Sequence, residues 1–283
     1  MLGQLESRIW LGALTAELHF QLALALLLAA LVAGGLKRWL RSAAWLVCSL
    51  LFFLPLWPVW RSVHLTPFKG GPTLRVAQAH LAGAALTAAQ LASWLGQSRF
   101  DVVSTTGLGA AQRHLLGKGV VGYSTLPGHE PDALLFARDT LAPRRRPDAH
   151  VSLRVGHCDL DITQVNAASL LSPSAARTRS RQMRALLASD ERKRSLYIGT
   201  LGSRSAAQDL SAFMAKQGLR DVRLGHGRLA TGPALLGPLG LPLDQILVRG
   251  WIAVANADVS PAMVPGAHRT LYATLQLTEP RCR

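Results

Sequence analysis

Two stretches of the chain are apolar without interruption, and the rest alternates short apolar runs with amphipathic ones. Phe20 to Leu36 and Ser42 to Trp60 carry no charge. Each approaches the length a helix needs to cross about 30 Å of hydrocarbon, which predicts two transmembrane helices over about 20–36 and 42–60. Lys37-Arg38-Trp39-Leu40-Arg41 between them has room only for a tight turn. Trp57 and Trp60 fall where an aromatic belt would sit. A pair of buried core helices is the alternative reading. A cleaved signal peptide fits less well, because Glu6 and Glu17 precede the first run and a second run follows at once. Residues 1–66 thus read as a membrane anchor. Pro67 to Pro72 (Pro-Phe-Lys-Gly-Gly-Pro) reads as a linker, and residues 73–283 as an extracytoplasmic domain.

Within that domain the pattern predicts strands at Leu74–Ala79, Phe100–Ser104, Val120–Ser124, Ala133–Ala137, His150–Val155, Leu160–Asn166 and Leu196–Gly199. Three more close the chain at Ile246–Val248, Ile252–Ala257 and Thr270–Leu277. Helices are expected at Leu81–Leu95, Ala110–Leu116, Ser174–Ser189 and Ala206–Gln217, the last ended by Gly218. Pro143–Pro147, rich in arginine, reads as a loop. Many short strands with interspersed helices imply an α/β (α+β) fold, two packed sheets flanked by helices.

Composition agrees with an anchor joined to a globular domain: 49% of residues are hydrophobic and 17% charged, at a mean hydropathy of +0.21. The net charge is +15, of which residues 1–67 carry only Arg8, Lys37, Arg38, Arg41 and Arg61 against Glu6 and Glu17. The domain is therefore strongly basic, and anionic partners such as lipid headgroups suit it. The arginine runs at 144–146 and 177–184 read as solvated faces rather than a nucleic-acid surface, and nucleic acid is not an expected partner. The cationic loop places itself in the cytoplasm by the positive-inside rule, and the domain on the far side. For a Gram-negative bacterium this means inner membrane and periplasm. Cys48 lies in the second apolar run; Cys158 and Cys282 would share the oxidising side, where they could pair, though an unpaired reading is preferred.

The candidate chemistry lies in a series of motifs: Thr73-Leu-Arg-Val-Ala-Gln-Ala-His80, Asp101-Val-Val-Ser-Thr-Thr-Gly107, Ile162-Thr-Gln-Val-Asn-Ala-Ala168, Tyr197-Ile-Gly-Thr-Leu-Gly202, Gly240-Leu-Pro-Leu-Asp-Gln-Ile-Leu-Val248 and Pro265-Gly-Ala-His-Arg-Thr-Leu271. In order and spacing they resemble the membrane-anchored branch of the endonuclease/exonuclease/phosphatase (EEP) superfamily, enzymes that cleave phosphate esters with a divalent metal. The resemblance covers roughly residues 73–278 and implies the EEP two-sheet sandwich.

It also implies a degenerate site. His80 stands where the family has a metal-binding asparagine, and Gly107 where it has the principal metal-ligand glutamate. Ala168 replaces a phosphate-facing histidine. Thr200 and Gly202 replace the aspartate and asparagine of Gly-Asp-Phe-Asn. Gln245 replaces a histidine, and Ala267 the aspartate before the last histidine. Asp244 and His268 survive, a dyad able to act as a general base or to tie two strand ends together. Loss of the glutamate removes the anionic oxygen a hard cation requires. The expected protein is a membrane-anchored pseudoenzyme with no metal and no cofactor, an interaction or accessory subunit with protein partners in a membrane complex. The alternative is a residual phosphodiesterase or phosphatase, using Mg²⁺, on an anionic lipid or nucleotide. Non-catalytic binding of anionic lipid is a third reading.

Overall fold

The computed structural model describes residues 18–54, 71–82, 87–127, 132–145, 151–166, 181, 194–200, 217–262 and 268–278. The first apolar stretch forms α1 (His19–Gly35), and the second forms α2 (Trp39–Phe53). A turn with Lys37 at φ 59° reverses the chain between them. The helices meet through small residues a heptad apart. The Ser49 hydroxyl donates to the Ala23 carbonyl at 2.7 Å, and Ser42 to Ala30 at 2.8 Å. Gly34 faces Ser42 so closely that a Cβ there would lie 3.3 Å from its Oγ. Such small-residue seams let two backbones approach.

Of the expected spans 20–36 and 42–60, this hairpin is described only as far as residue 54. Among the described residues no helix is long and apolar enough to cross a membrane. The two helices hold 17 and 15 residues. The second is described as far as Phe53, with Leu54 still in the right-handed helical region. Pro55 to Trp60 of the second run lie outside the described residues, as does most of the linker at 67–72.

Among the described residues, the chain after the hairpin forms two six-stranded sheets. The first has the order β11-β12-β1-β2-β4-β3, the second β5-β6-β7-β8-β10-β9. Their strands are β1 (Thr73–His80), β2 (Val102–Thr106), β3 (Tyr123–Pro127), β4 (Leu134–Arg138), β5 (Arg144–Arg145), β6 (Val151–Val155), β7 (Cys158–Asn166), β8 (Ser195–Thr200), β9 (Leu219–Asp221), β10 (Asp244–Arg249), β11 (Ile252–Ala262) and β12 (Arg269–Leu277). Each sheet has one parallel pair at its centre, β1 with β2 and β7 with β8.

Alternation along each strand separates two cores. Leu74, Val76, Val102, Ile162, Leu196, Ile198, Ile246, Val248, Leu271 and Ala273 meet between the sheets. On the outer face of the first sheet, Ala77, Ala79, Val103 and Phe136 pack against Leu91, Leu95 and Leu116. Those leucines belong to α3 (Ala88–Ser98) and α4 (Ala110–Leu116).

Several expectations shift. The helix expected from Leu81 begins instead at Ala88. Thr87 caps it reciprocally with Gln90, the Gln90 N–H donating to Thr87 Oγ1 at 3.2 Å and the Thr87 N–H to Gln90 Oε1 at 2.9 Å. Leu81 still belongs to the sheet edge, its N–H donating to the Thr106 carbonyl at 2.8 Å. Arg144–Arg145, expected as loop, adds a two-residue edge strand, where charge is tolerated because one side meets water. The short strand β9 was not anticipated. The helices expected at 174–189 and 206–217 lie outside the described residues, apart from isolated positions.

Cys48 is free and Cys158 is disulfide-bonded. The reading of Cys158 as unpaired is therefore corrected; the third cysteine, Cys282, lies outside the described residues. Cys158 opens β7 beneath a two-residue turn at Gly156–His157 and is buried in the inter-sheet core. Cys158→Ser is expected to lower stability by about 2–5 kcal/mol. Urea unfolding with and without reductant checks this, since reductant should bring wild type down to the variant.

Candidate functional site

At one end of the sandwich the inner faces of five strands change from apolar to polar. Leu74 and Val76 are followed on the same face of β1 by Gln78 and His80, and Val102 on β2 by Ser104 and Thr106. On β7, Ile162 gives way to Gln164; on β8, Ile198 gives way to Thr200. Strand β10 runs the other way, from Asp244 to Ile246 and Val248. His268 immediately precedes β12. The cleft is thus the polar end of the hydrophobic core.

These side chains form one hydrogen-bonded chain. Asp244, with no exposed surface, accepts from the Thr200 hydroxyl through Oδ1 at 2.8 Å. Its Oδ2 lies 2.7 Å from His268 Nδ1. Thr200 Oγ1 is 3.1 Å from Thr106 Oγ1. His80 Nδ1 approaches both hydroxyls, at 2.9 Å to Thr106 and 3.3 Å to Thr200. Gln78 Nε2 donates to Thr106 Oγ1 at 3.0 Å. The His80 and His268 rings stack obliquely with centroids 4.5 Å apart. Backbone bonds hold them in place: the His268 N–H donates to the His80 carbonyl at 3.0 Å. Thr231 Oγ1 accepts from the Asp244 N–H, also at 3.0 Å. A buried Arg223–Asp221 ion pair at 2.7 Å reaches Pro242 O through Nη1, fixing the approach to Asp244.

His80 is depressed below its ordinary value of 6.5, first by burial and then by His268, with Asp244 and Asp132 opposing. The neutral imidazole is therefore favoured in the fold. Below pH 6.5 the unfolded chain takes up a proton at this position that the folded state resists, so stability falls as pH drops and levels off below the folded pKa. His226, lowered by burial, acts in the same direction. His80→Gln is expected to flatten, without abolishing, the fall in melting temperature between pH 8 and pH 5, which a thermal scan series measures.

The structure brings together His80, Thr200, Asp244 and His268, and sets Gly107 beside them. Gln245 is buried on the opposite face of β10 from Asp244. Ala168, Gly202 and Ala267 lie outside the described residues. Sequence reasoning missed Gln78, Ser104, Thr106 and Gln164. Gln164 Nε2 spans the sheets, donating to Ser104 Oγ at 2.8 Å and to the Thr105 carbonyl at 3.0 Å. The signal was present as a shared parity, polar residues continuing an apolar inner face at the same end of several strands.

The position that the resemblance assigns to a metal-ligand carboxylate is closed. Gly107 has φ +76°, and a Cβ there would lie 2.7 Å from Ala82 N and 2.9 Å from Ala82 Cβ. Its N–H donates to Asp132 Oδ2 at 3.2 Å. Both oxygens of Asp244 already accept hydrogen bonds. Among the described residues no group of three or more His, Cys, Asp or Glu side chains is arranged to hold a metal ion. Imidazoles and threonine hydroxyls are a poor donor set for Mg²⁺, which takes carboxylate oxygens. Among the described residues this donor set does not fit a hard divalent metal.

No protein-family model and no curated protein matches the sequence. Solved structures do. A humanized zebrafish (D. rerio) TDP2 superposes with TM-score 0.55 at 16% identity, over 72% of this chain and 99% of that one. An endonuclease/exonuclease/phosphatase from Beutenbergia cavernae superposes with TM-score 0.52 at 15% identity, over 73% and 72%. The endonuclease domain of TRAS1, a telomere-specific non-LTR retrotransposon, gives 0.53 at 15%, over 74% and 100%. The two-sheet domain therefore has the EEP fold. At such identity the likeness extends to the fold alone.

Proposed function

We propose that this protein is a membrane-associated, catalytically degenerate EEP domain that serves as an interaction or accessory subunit of a membrane or envelope complex. The observation that carries the reading is Gly107. Its left-handed backbone and the Ala82 backbone against it leave no place for the carboxylate on which metal-dependent phosphoryl chemistry depends. Thr200, where a base would stand, is spent as a donor to Asp244 and cannot accept a proton near neutral pH. The His268–Asp244 pair then serves to join the start of β10 to the start of β12.

Membrane association is supported by the outside of the hairpin. Leu28, Leu31, Val32, Leu40, Leu50 and Leu51 are all more than half exposed, a larger apolar surface than a soluble monomer normally shows. Helices of about 25 Å would insert into the bilayer, with Lys37, Arg38 and Arg41 reaching the headgroups by snorkelling. The disulfide at Cys158 suits an oxidising compartment, the periplasmic face of a bacterial inner membrane.

One observation favours a second reading, residual hydrolysis of an anionic lipid or nucleotide. The His268 Nδ1–Asp244 Oδ2 distance of 2.7 Å is that of a base held by its orienting carboxylate. The full-length protein in detergent, assayed on phosphodiesters and phosphomonoesters with Mg²⁺, Mn²⁺ and Zn²⁺, separates the two. We expect no turnover beyond the His268→Ala background; turnover that this substitution abolishes would establish the second reading.

A further inference from the structure

We propose that the segment Ala234–Leu239 is a bilayer-contacting rim, continuous with the hairpin, that seats the Asp244/His268 cleft against the lipid headgroup layer. The proposal rests on the membrane association argued above and adds which end of the domain faces the lipid.

Three observations meet here. First, this short 3₁₀ segment presents leucines to solvent: Leu235 is 97% exposed, Leu236 50% and Leu239 43%. Second, the segment is bonded to the foot of the hairpin. Gln21 Nε2, in the first turn of α1, donates to the Leu239 carbonyl at 2.8 Å. The Arg228 guanidinium lies 4.3 Å over the Phe20 ring, and donates to the Pro238 and Gly240 carbonyls at 2.6 Å each. If the apolar exterior of α1 and α2 lies in lipid, its domain-proximal foot lies at the interface, and so does what touches it. Third, the rim abuts the cleft. A Cβ on Gly232 would lie 2.7 Å from His268 Nε2, and one on Gly240 would lie 3.0 Å from the Gly232 carbonyl.

The occupant of this surface is lipid rather than a second copy, because the leucines extend the hairpin's own apolar surface. The Arg228 cation beside it suits anionic headgroups. Burial and Arg223 lower the Arg228 pKa only to about 10, so it stays charged at neutral pH. The opposite end of the sandwich provides an internal control. Strand β10 runs away from the cleft to Arg249, and Trp251 beyond it is 58% exposed.

The test uses the full chain with Cys48→Ser and, without reductant, either Leu235→Cys or Trp251→Cys labelled with an environment-sensitive nitrobenzoxadiazole dye. Each is reconstituted in phosphatidylcholine/phosphatidylglycerol vesicles. The label at 235 is expected to shift to the blue and to be quenched severalfold by lipids spin-labelled near the headgroup, while the label at 251 stays aqueous. Protein that floats with vesicles but leaves 235 aqueous would overturn the rim alone. Failure to float would remove the membrane association beneath it. Shielding at 235 that follows protein concentration without lipid would overturn the rim in favour of contact between copies.

Discussion

Gly107→Glu is expected to destabilise the protein by about 2–5 kcal/mol without creating a metal site. A side chain at φ +76° carries the left-handed penalty of roughly 1–2 kcal/mol. Its Cβ would also press on the Ala82 backbone at 2.7 Å, and overpacking of that kind costs about 1–3 kcal/mol more. The backbone cannot yield freely, because the Thr106 carbonyl holds the Leu81 N–H at 2.8 Å and Asp132 holds the Gly107 N–H at 3.2 Å. For a domain of this size each kcal/mol moves the melting temperature by roughly 2–4 °C. The variant should melt about 5–15 °C lower, and calorimetric titration with Mn²⁺ should show no heat of binding. A stable variant that bound Mn²⁺ would mean that only one substitution separates this cleft from a metal site.

Asp244→Ala should cost about 3–5 kcal/mol, which distinguishes a structural pair from a catalytic one. The carboxylate is fully buried and accepts at 2.8 Å from Thr200 and 2.7 Å from His268. Hydrogen bonds to a charged group contribute about 1.5–3 kcal/mol each, and truncation removes the acceptor of both donors. Thr200 is linked in turn to Thr106 and His80, so the loss extends across both sheets. Asp244→Asn, which keeps an acceptor for one donor, should cost about half as much. Chemical denaturation of the three proteins reads the series. A pair retained only for chemistry would leave stability within about 1 kcal/mol of wild type.

The strands were legible because the inner faces of the two sheets need consecutive apolar positions, and runs such as Leu196–Ile198 and Ile246–Val248 advertise them. His80, Thr200, Asp244 and His268, far apart in sequence, meet at one end of the sandwich. What escaped depended on register. Gln78, Ser104 and Gln164 look like solvent-side residues until pairing shows that they continue the inner face of their strands. The entry of α3 escaped because Leu81 is apolar at helical spacing from Ala85, yet its N–H belongs to Thr106. Pairing of Cys158 could not be read from three scattered cysteines. Sequence showed that Gly107 lacks a carboxylate; only the backbone showed that none could be accommodated. The apolar stretches revealed a helical hairpin, of which residues 18–54 are described.

We propose that an EEP-type sandwich is kept here while its cleft does not assemble a metal-dependent mechanism. Mn²⁺-supported cleavage of a generic phosphodiester by the full-length protein, measured beside His268→Ala with Mn²⁺ binding followed by electron paramagnetic resonance, tests it most directly. Wild type and variant are expected to be indistinguishable, with no protein-bound Mn²⁺ signal. Bound Mn²⁺ together with turnover that disappears in His268→Ala would contradict it.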